Sequence, residues 1–332
     1  VAFLSSAEIP KKLVDFSKRV VRDIVEIEEA EALAREVGAE LHKFKLGRGV
    51  VGALAAIGHP LDNNPTFELI AYRTPENRGK PRKVDEASVI EMDRKTFPRT
   101  FDNLDHFTGE IRITPHTPCP ILYGIRGETP EALEEAARMV KVHEPIEQTI
   151  VYKTNQATDE HLIPAKISEI TPGRSYSVKA RVISRPKVIP GGHVIFRVGD
   201  ETGEMDCAAY EPTRGFRDVA RLLLPEDLLV VHGGVKEKPG LPLTINLEKL
   251  EVIKLAKPVI KRNPLCLKCG KRMKSEGRGK GYSCKKCGRR APASAVDVVE
   301  VKRQLTPGYF EVPPRARRHL AKPLVRVRGL EH

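Results

Sequence analysis

Apolar residues recur at helical spacing in the first part of the chain and alternate with polar residues in its middle part. The helical spacing predicts two amphipathic helices, over residues 9–21 and 27–37. A short apolar run, Val50–Ile57, follows a glycine-rich turn, and residues 67–72 are then predicted to form a strand. This mixture predicts α/β packing in the first hundred residues.

Residues 109–153 carry a second pattern, in which two strands, a helix and a third strand follow one another. The helix is predicted at Thr129–Val140, where Thr129 suits the N-cap, proline follows it and the first turn is acidic. The predicted strands are Glu110–Ile113, Ile121–Ile125 and Gln148–Lys153. The ββαβ order is that of half of a ferredoxin-like unit.

Alternation over residues 165–255 predicts five short strands. They are Tyr176–Ser184, His193–Val198, Met205–Ala209, Leu228–Val235 and Leu243–Val252. A helix-like segment at Phe216–Leu224 and a Gly-Asp-Glu-Thr-Gly turn at residues 199–203 favour an OB-fold barrel. Barrels of this kind often bind oligonucleotides, although a small barrel can also act as a spacer.

Four of the six cysteines form two CxxC pairs that are separated by fourteen residues. Cys266 and Cys269 make the first pair, Cys284 and Cys287 make the second, and a glycine follows each pair. Four thiolates on two tight turns suit a tetrahedral zinc ion, and a closed four-thiolate shell indicates a structural role. An iron–sulfur cluster or a rubredoxin-like iron uses similar ligands, but the surrounding cations favour a zinc ribbon.

The net charge of +13 is concentrated near the C-terminus. Residues 261–290 hold twelve Lys or Arg against one acidic residue, and residues 313–329 hold six Lys or Arg and no acidic residue. Clustered cations gain affinity for nucleic acid by releasing its counterions, so this distribution predicts an RNA or DNA partner, with a basic solvated surface as the alternative.

The candidate RNA contacts lie in the ribbon and in a basic arm that follows Pro313-Pro314. The loop before Tyr282 is either a flexible loop whose aromatic residue stacks on a base or a simple hairpin tip. The candidates are Lys271, Arg272, Lys274, Arg278, Lys280, Tyr282, Arg289, Arg290, Arg315, Arg317 and Arg318.

Two segments of the N-terminal half are candidates for chemistry. Gly47, Gly49 and Gly52 match a GxGxxG phosphate cradle, a weak pattern for which close helix packing is the alternative. The second segment is the polar stretch at residues 100–106.

Asp102 and Asp105 flank Asn103 in that polar stretch, and His116 follows in a proline-rich run. Two carboxylates beside an amide suit Mg²⁺ or a cationic amine, because hard cations take oxygen ligands. An Asx-turn that connects two strands is the alternative.

Several segments together resemble the archaeal 2-agmatinylcytidine synthetases of isoleucine tRNA. They are TFDNLD (100–105), HTPCPILYGIRGETPEAL (116–133), YKTNQATDEHL (152–162), the barrel, the ribbon and LTPGYFEVPPRARRHLAKPL (305–324). The resemblance implies a multidomain α+β enzyme with kinase-like and ferredoxin-like parts, an OB-fold β-barrel and a C-terminal zinc ribbon. It also implies that ATP activates the 2-carbonyl oxygen of the wobble cytidine and that agmatine then replaces this oxygen.

The resemblance implies ATP, Mg²⁺ and structural Zn²⁺ as cofactors, with isoleucine tRNA and agmatine as partners. Asp102 and Asp105 are then the expected catalytic carboxylates. The expected contacts of agmatine or ATP are Gly47, Gly49, Gly52, Asn103 and His116. The family's N-terminal acidic motif has no counterpart in this sequence, so a separate chain that carries it is a further expected partner.

The expected division of the chain follows these patterns: 1–105 kinase-like and ferredoxin-like, 106–164 ferredoxin-like ββαβ, 165–257 OB fold, 258–329 zinc ribbon with basic arm, and 330–332 a purification-tag remnant. No stretch approaches the roughly 18 apolar residues of a membrane span, and the paired cysteines suggest a reducing compartment, so a cytoplasmic protein is expected. A non-catalytic tRNA or single-strand binding protein, built on the barrel and ribbon, is the alternative. The first 165 residues favour the enzyme, because a pure binding protein has no need of them.

Overall fold

The chain begins with a small helical unit, in a computed structural model that describes residues 1–237 and 239–328. The tag remnant expected at residues 330–332 lies outside the described residues. Leu13 and Leu54 are fully buried in the core of this unit, and both predicted amphipathic helices are confirmed. The elements are β1 (Ala2–Phe3), α1 (Lys11–Val20), α2 (Ile27–Val37), β2 (Glu40–Leu41) and α3 (Val50–Gly58).

The second unit is an antiparallel sheet with two helices packed on one face. Its strand order is β4-β7-β3-β8, which with the βαββαβ sequence of elements gives a ferredoxin-like unit. The elements are β3 (Thr66–Arg73), α4 (Glu86–Thr96), β4 (Thr100–Phe101), β5 (Leu104–Asp105), β6 (Glu110–Ile111), β7 (Ile121–Gly127), α5 (Pro130–Met139) and β8 (Ile146–Thr154). The boundary expected between residues 105 and 106 falls inside this unit, because β7 and β8 complete the sheet that β3 begins.

The two faces of this sheet differ in a way that matters for the site. Leu69 on β3 and Ile125 on β7 are buried against α4 and α5, together with Val89 and Leu133 of those helices. Alternate residues of β3 and β7 therefore point to the opposite face of the sheet.

The third unit is the predicted five-stranded barrel with its helix. The barrel closes because β10 pairs with both β14 and β12, and β13 runs parallel to β15. Alternate residues such as Val178, Ala180 and Val182 fill its interior. The elements are β9 (Leu162–Pro164), β10 (Ser175–Val182), β11 (Lys187–Ile189), β12 (His193–Gly199), β13 (Glu204–Ala209), α6 (Gly215–Arg221), β14 (Leu228–Lys236) and β15 (Thr244–Lys254).

The ribbon is inserted between β15 and the strand Gly308–Glu311, which pair with each other in the barrel sheet. A two-stranded stalk leads to it, and Arg303 at the base of the stalk donates hydrogen bonds to both carboxylate oxygens of the fully buried Asp227. The elements are β16 (Val259–Arg262), β17 (Lys274–Ser275), β18 (Tyr282–Ser283), β19 (Arg290–Ala291) and β20 (Asp297–Glu300).

The C-terminal segment (residues 305–328) folds back onto the ferredoxin-like unit and the barrel, which together we call the body. The expectation of an extended basic arm is therefore wrong. Strand β21 (Gly308–Glu311) pairs with β15, and α7 (Leu324–Arg328) follows. Short 3-10 helices occupy connections along the described chain: Pro75–Asn77, Ile167–Glu169, Glu211–Thr213, Ala293–Ala295 and Pro314–Ala316. None of the helices described here is long and apolar enough to span a bilayer.

Candidate functional site

A cavity of about 430 Å³ lies between the open face of the ferredoxin-like sheet and the C-terminal segment, and we call it the interdomain cavity. Glu68 and Arg126 line it from paired positions on β3 and β7, while Arg317 and His319 line it from the C-terminal segment. The remaining lining residues are Ile70, Phe101, Asp102, Asn103, Arg112, Ile113, Pro115, Ile121, Gly124, Pro314 and Arg315. Two parts of the chain that are distant in sequence therefore share this site.

Asp102 lies at the junction of these two parts. It directly follows β4 and adopts a left-handed conformation with φ of +58°. Its carboxylate accepts a hydrogen bond from Arg317, whose second nitrogen lies 2.7 Å from a carboxylate oxygen of Glu311. Left-handed backbone at a non-glycine residue stores about 1–3 kcal/mol of strain and concentrates at functional sites.

Asp105 has a different role from the one expected beside Asp102. Its side chain is buried, and Oδ1 accepts hydrogen bonds from the backbone N–H groups of Phe107 (3.0 Å) and Thr108 (3.2 Å). This is the Asx-turn alternative. Asp102 lines the interdomain cavity, whereas Asp105 is not among its lining residues.

Asn103 and His116, two further expected contacts of agmatine or ATP, do not lie in the same site. Asn103 lines the interdomain cavity, but its buried Nδ2 donates to Thr100 Oγ1 at 2.9 Å and to Asp93 Oδ1 at 3.3 Å. Burial raises the pKa of the Asp93 carboxyl. His116 is exposed beside Arg112 and is not among the cavity-lining residues.

The three glycines of the GxGxxG pattern lie at the start of α3, away from the interdomain cavity. Gly47 has a φ of +67°, and a Cβ atom at Gly49 or Gly52 would meet nothing within 4 Å. The close packing of α3 on α1 requires a glycine at Gly58, where a Cβ would lie 2.1 Å from the carbonyl oxygen of Leu13. The phosphate cradle stays a prediction.

Sequence reasoning missed Glu68 and Arg126. Arg126 Nε lies 3.3 Å from Glu68 Oε1, and its Nη2 donates to His319 Nδ1 over 2.7 Å. Burial, followed by the charge of Arg126, lowers the pKa of His319. The available signal was one charged residue at an outward position in each of two neighbouring strands.

The four cysteines predicted to hold a metal converge in the ribbon. The Sγ atoms of Cys266 and Cys287 are 3.4 Å apart, those of Cys269 and Cys284 are 3.5 Å apart, and all four lie within 4.8 Å of one another. These spacings and the all-sulfur donor set fit a tetrahedral zinc ion. Within residues 1–237 and 239–328 no other group of three or more His, Cys, Asp or Glu has this arrangement.

Each knuckle turns back under the sulfur atoms through its glycine, as the spacing predicted. Gly270 and Gly288 have φ of +67° and +72°, and each donates its N–H to the carbonyl of the first cysteine of its pair over 2.8 Å. Backbone N–H groups of Cys287 and Lys286 lower the pKa of Cys284 to about 6. The fold therefore favours the thiolate form of Cys284, which is the form that binds a metal.

The ribbon cations named as RNA contacts have exposed side chains. Tyr282 is half-buried on β18 against the cysteine cluster, and the loop before it turns through Gly277, Gly279 and Gly281 at positive φ. The hairpin-tip alternative describes this loop better than a free stacking loop.

The three arginines named in the basic arm are occupied by contacts with the body. Arg315 donates to the carbonyl oxygen of Pro212, Arg317 is buried against Asp102, and Arg318 donates to Glu248 at 2.8 Å. Their partners lie far away in sequence, which is why a local count of charges suggested a free arm.

An OB barrel, a cationic four-cysteine ribbon and a cavity of paired carboxylates and guanidiniums define a multidomain nucleic-acid-binding protein. Family models match the chain as TiaS FLD domain (47–161), OB-fold nucleic acid binding domain (176–253) and TiaS C-terminal zinc ribbon domain (263–305). The chain belongs to the TiaS family, the 2-agmatinylcytidine synthetases of isoleucine tRNA.

Individual relatives match nearly the whole chain. The isoleucine tRNA 2-agmatinylcytidine synthetase TiaS of Methanocaldococcus jannaschii is 46% identical over 98% of this chain and 76% of its own length. The TiaS of Pyrococcus horikoshii is 48% identical over 98% of this chain and 75% of its own length. The crystal structure of a TiaS complex with isoleucine tRNA, AMPCPP and agmatine matches with a TM-score of 0.81 and 42% identity, covering 95% of this chain and 73% of that one.

These matches confirm the predicted family and the ferredoxin-like, OB-fold and zinc-ribbon parts of the fold. They also confirm an ATP-dependent tRNA-modifying enzyme in place of the non-catalytic binding protein. The kinase-like part and the other domain boundaries stay predictions.

Proposed function

We propose that this chain joins agmatine to the wobble cytidine of an isoleucine tRNA in an ATP-dependent reaction that yields 2-agmatinylcytidine. The observation that carries the proposal is the match, over 95% of the chain, to an enzyme solved with isoleucine tRNA, AMPCPP and agmatine. The tRNA substrate also supports the cytoplasm as the site of action.

The chemistry explains why ATP is needed. The carbonyl oxygen at C2 of cytosine is a poor leaving group, so its phosphorylation by ATP comes first. The primary amine of agmatine then attacks C2, the C2–O bond breaks with phosphate as the leaving group, and the amine loses a proton. Mg²⁺ accompanying ATP would neutralise the phosphate charges during the transfer. The wobble base has to leave its stack to reach the site.

The interdomain cavity is the proposed agmatine site. Agmatine carries an amine and a guanidinium, and carboxylates bind both through charge-assisted hydrogen bonds. Asp102 and Glu68 are the carboxylates that line this cavity. Asp102 is the proposed contact of agmatine, whereas Asp105 caps the turn that follows it.

The ribbon is proposed to supply affinity for tRNA. Cys266, Cys269, Cys284 and Cys287 would supply all four ligands of a zinc ion, so the exposed cations of the ribbon could hold phosphates without the metal taking part in the chemistry.

The test is to incubate the protein with isoleucine tRNA and labelled agmatine, with and without ATP. The proposal expects label in the tRNA only when ATP is present. A tRNA whose wobble position is uridine serves as the matched control and should stay unlabelled. Label that appears equally without ATP, or in the uridine tRNA, would contradict the proposal.

A further inference from the structure

We propose that Arg317 is a positioning residue for agmatine, which holds Asp102 at the wall of the interdomain cavity and makes agmatine binding depend on the docked C-terminal segment. The inference rests on the proposed function, because it takes this cavity as the agmatine site. It replaces the expectation from the sequence that Arg317 binds RNA.

The guanidinium of Arg317 is held on both sides. Nη1 donates to Asp102, while Nη2 lies 2.7 Å from Glu311 Oε1 and donates to the carbonyl oxygen of Val312 over 3.2 Å. Only 6% of the Arg317 side chain is exposed. A planar guanidinium with several fixed partners has little freedom to rotate, so it also fixes the orientation of the carboxylate that it binds.

Asp102 is left with one carboxylate oxygen for a ligand. Arg317 binds Oδ1, and no group in the described part of the chain donates a hydrogen bond to Oδ2. The side chain lines the interdomain cavity, and the left-handed backbone at this residue sets its direction after β4. An ammonium or guanidinium group of agmatine would find an oriented acceptor that needs no rearrangement.

The same contact joins two distant parts of the chain. Arg317 follows the 3-10 helix Pro314–Ala316, which the pairing of β21 with β15 holds against the barrel. Asp102 belongs to the ferredoxin-like unit, 215 positions earlier. The acidic wall of the cavity therefore has this geometry only while the C-terminal segment is docked on both units.

Arg221 offers a comparison outside the interdomain cavity. It lies on α6, its guanidinium donates to Asp218 at 2.7 Å, and it is not among the cavity-lining residues. Replacing Arg221 removes one positive charge from the chain without releasing a carboxylate of the cavity. A loss of agmatine binding that is confined to Arg317 therefore reports its contact with Asp102.

The experiment measures agmatine binding to the full chain, in the presence of isoleucine tRNA, by titration calorimetry for wild type, Arg317→Gln, Arg317→Lys and Arg221→Gln. Arg317→Gln should weaken agmatine binding about tenfold or more, the scale on which groups that orient a ligand-binding residue act. Arg317→Lys should recover part of the loss, and Arg221→Gln should stay within about twofold of wild type. In turnover, Arg317→Gln should raise KM for agmatine more than it lowers kcat, with an unchanged Kd for tRNA.

Other outcomes separate the inference from its basis. If wild type binds no agmatine, the proposed function fails. If wild type binds agmatine and Arg317→Gln binds it equally well, only the positioning role fails, and weaker tRNA binding by that variant would return Arg317 to the RNA contacts. If Arg317→Gln does not fold, Glu311→Gln is used instead, because it removes the ion pair between Glu311 and Nη2 of Arg317. Unchanged agmatine affinity in that variant would overturn the inference.

Discussion

Arg326 and Glu128 form a two-pronged ion pair between α7 and the turn that precedes α5. Nε of Arg326 lies 2.5 Å from Glu128 Oε1 and Nη2 lies 3.0 Å from Oε2, although the two residues are 198 positions apart. Arg326 also donates to the side-chain oxygen of Asn64 over 3.0 Å and is 4% exposed. The end of the chain is therefore tied to the ferredoxin-like unit.

Replacing Arg326 with Ala should destabilise the fold by about 2–3 kcal/mol, because the Arg326 side chain is only 2% exposed and its removal takes away packing and the hydrogen bonds to Asn64 and Glu128. Glu128 itself is 38% exposed, so water can solvate its carboxylate once the partner is gone. Urea unfolding monitored by circular dichroism measures the change. The control is Arg94→Ala, since Arg94 pairs with Glu91 on the exposed face of α4 and should contribute at most about 0.5 kcal/mol. Equal effects of the two substitutions would mean that the C-terminal segment is not clamped.

The zinc centre should hold one ion per chain. Cys284→Ser should release the metal and unfold the ribbon while the body keeps its melting temperature, because the ribbon has its own small core around the cysteines. Metal analysis and two-step thermal melting check this. Cys119→Ser is the control and should retain the metal, since Cys119 lies outside the four-cysteine group. An iron chromophore, or no metal in wild type, would refute the assignment.

The ribbon should account for much of the salt dependence of tRNA binding. Replacement of four exposed cations by Ala should weaken binding and lower the slope of log K against log salt by about 0.7–0.9 for each lost phosphate contact. The four are Lys271, Arg272, Arg289 and Arg290.

A matched set of four cations on the ferredoxin-like unit serves as the control: Arg94, Lys95, Arg99 and Arg138. Their replacement should leave the slope nearly unchanged. Filter binding at several salt concentrations measures both sets. An unchanged slope in the ribbon variant would move the RNA contact to the barrel.

His232 should make stability fall in mild acid. Burial, followed by the charge of Lys249, lowers its pKa to about 4, and neither ring nitrogen has a hydrogen-bond partner among the described residues. Asp159, Glu248 and His161 also face it. The unfolded chain takes up the proton near the ordinary pKa of 6.5, so the stabilising effect of the neutral His232 is full above that pH and is lost as pH falls toward 4.

The loss amounts to about 3 kcal/mol across this interval. His232→Gln, which does not titrate, should unfold with a weaker pH dependence over the same range, and urea unfolding at about pH 7, 5.5 and 4.5 measures the difference. Identical pH profiles for the two proteins would show that folding does not lower the pKa of His232.

Much of the fold could be predicted because its signals are local. The period of apolar residues indicated α1, α2 and the barrel strands, Thr129 indicated the start of α5, and cysteine spacing indicated the ribbon. Helix α4 was missed, although Asp85 caps it by accepting a hydrogen bond from the Ser88 N–H at 2.7 Å.

The interdomain cavity could be predicted only in part, because its geometry depends on contacts between distant segments. The polar stretch at residues 100–106 indicated the wall of the cavity that contains Asp102. Arg317, which belongs to the opposite wall, looked like a free cation, because nothing local to it shows that Asp102 and Glu311 surround it. Asp105 looked equivalent to Asp102, and only the turn that it caps distinguishes them.

Nucleoside mass spectrometry of reacted isoleucine tRNA shows whether this chain makes 2-agmatinylcytidine with Asp102 at the agmatine site. Wild type, supplied with ATP and agmatine, should convert the wobble cytidine to a nucleoside in which agmatine replaces the 2-carbonyl oxygen. Asp102→Asn keeps the shape but removes the charge, so it should lower the yield by about a hundredfold while tRNA binding persists. Arg317 keeps Glu311 as a partner in this variant, so the melting temperature should fall only slightly. A variant with full yield and a lowered melting temperature would contradict the account and make Asp102 a residue of the turn.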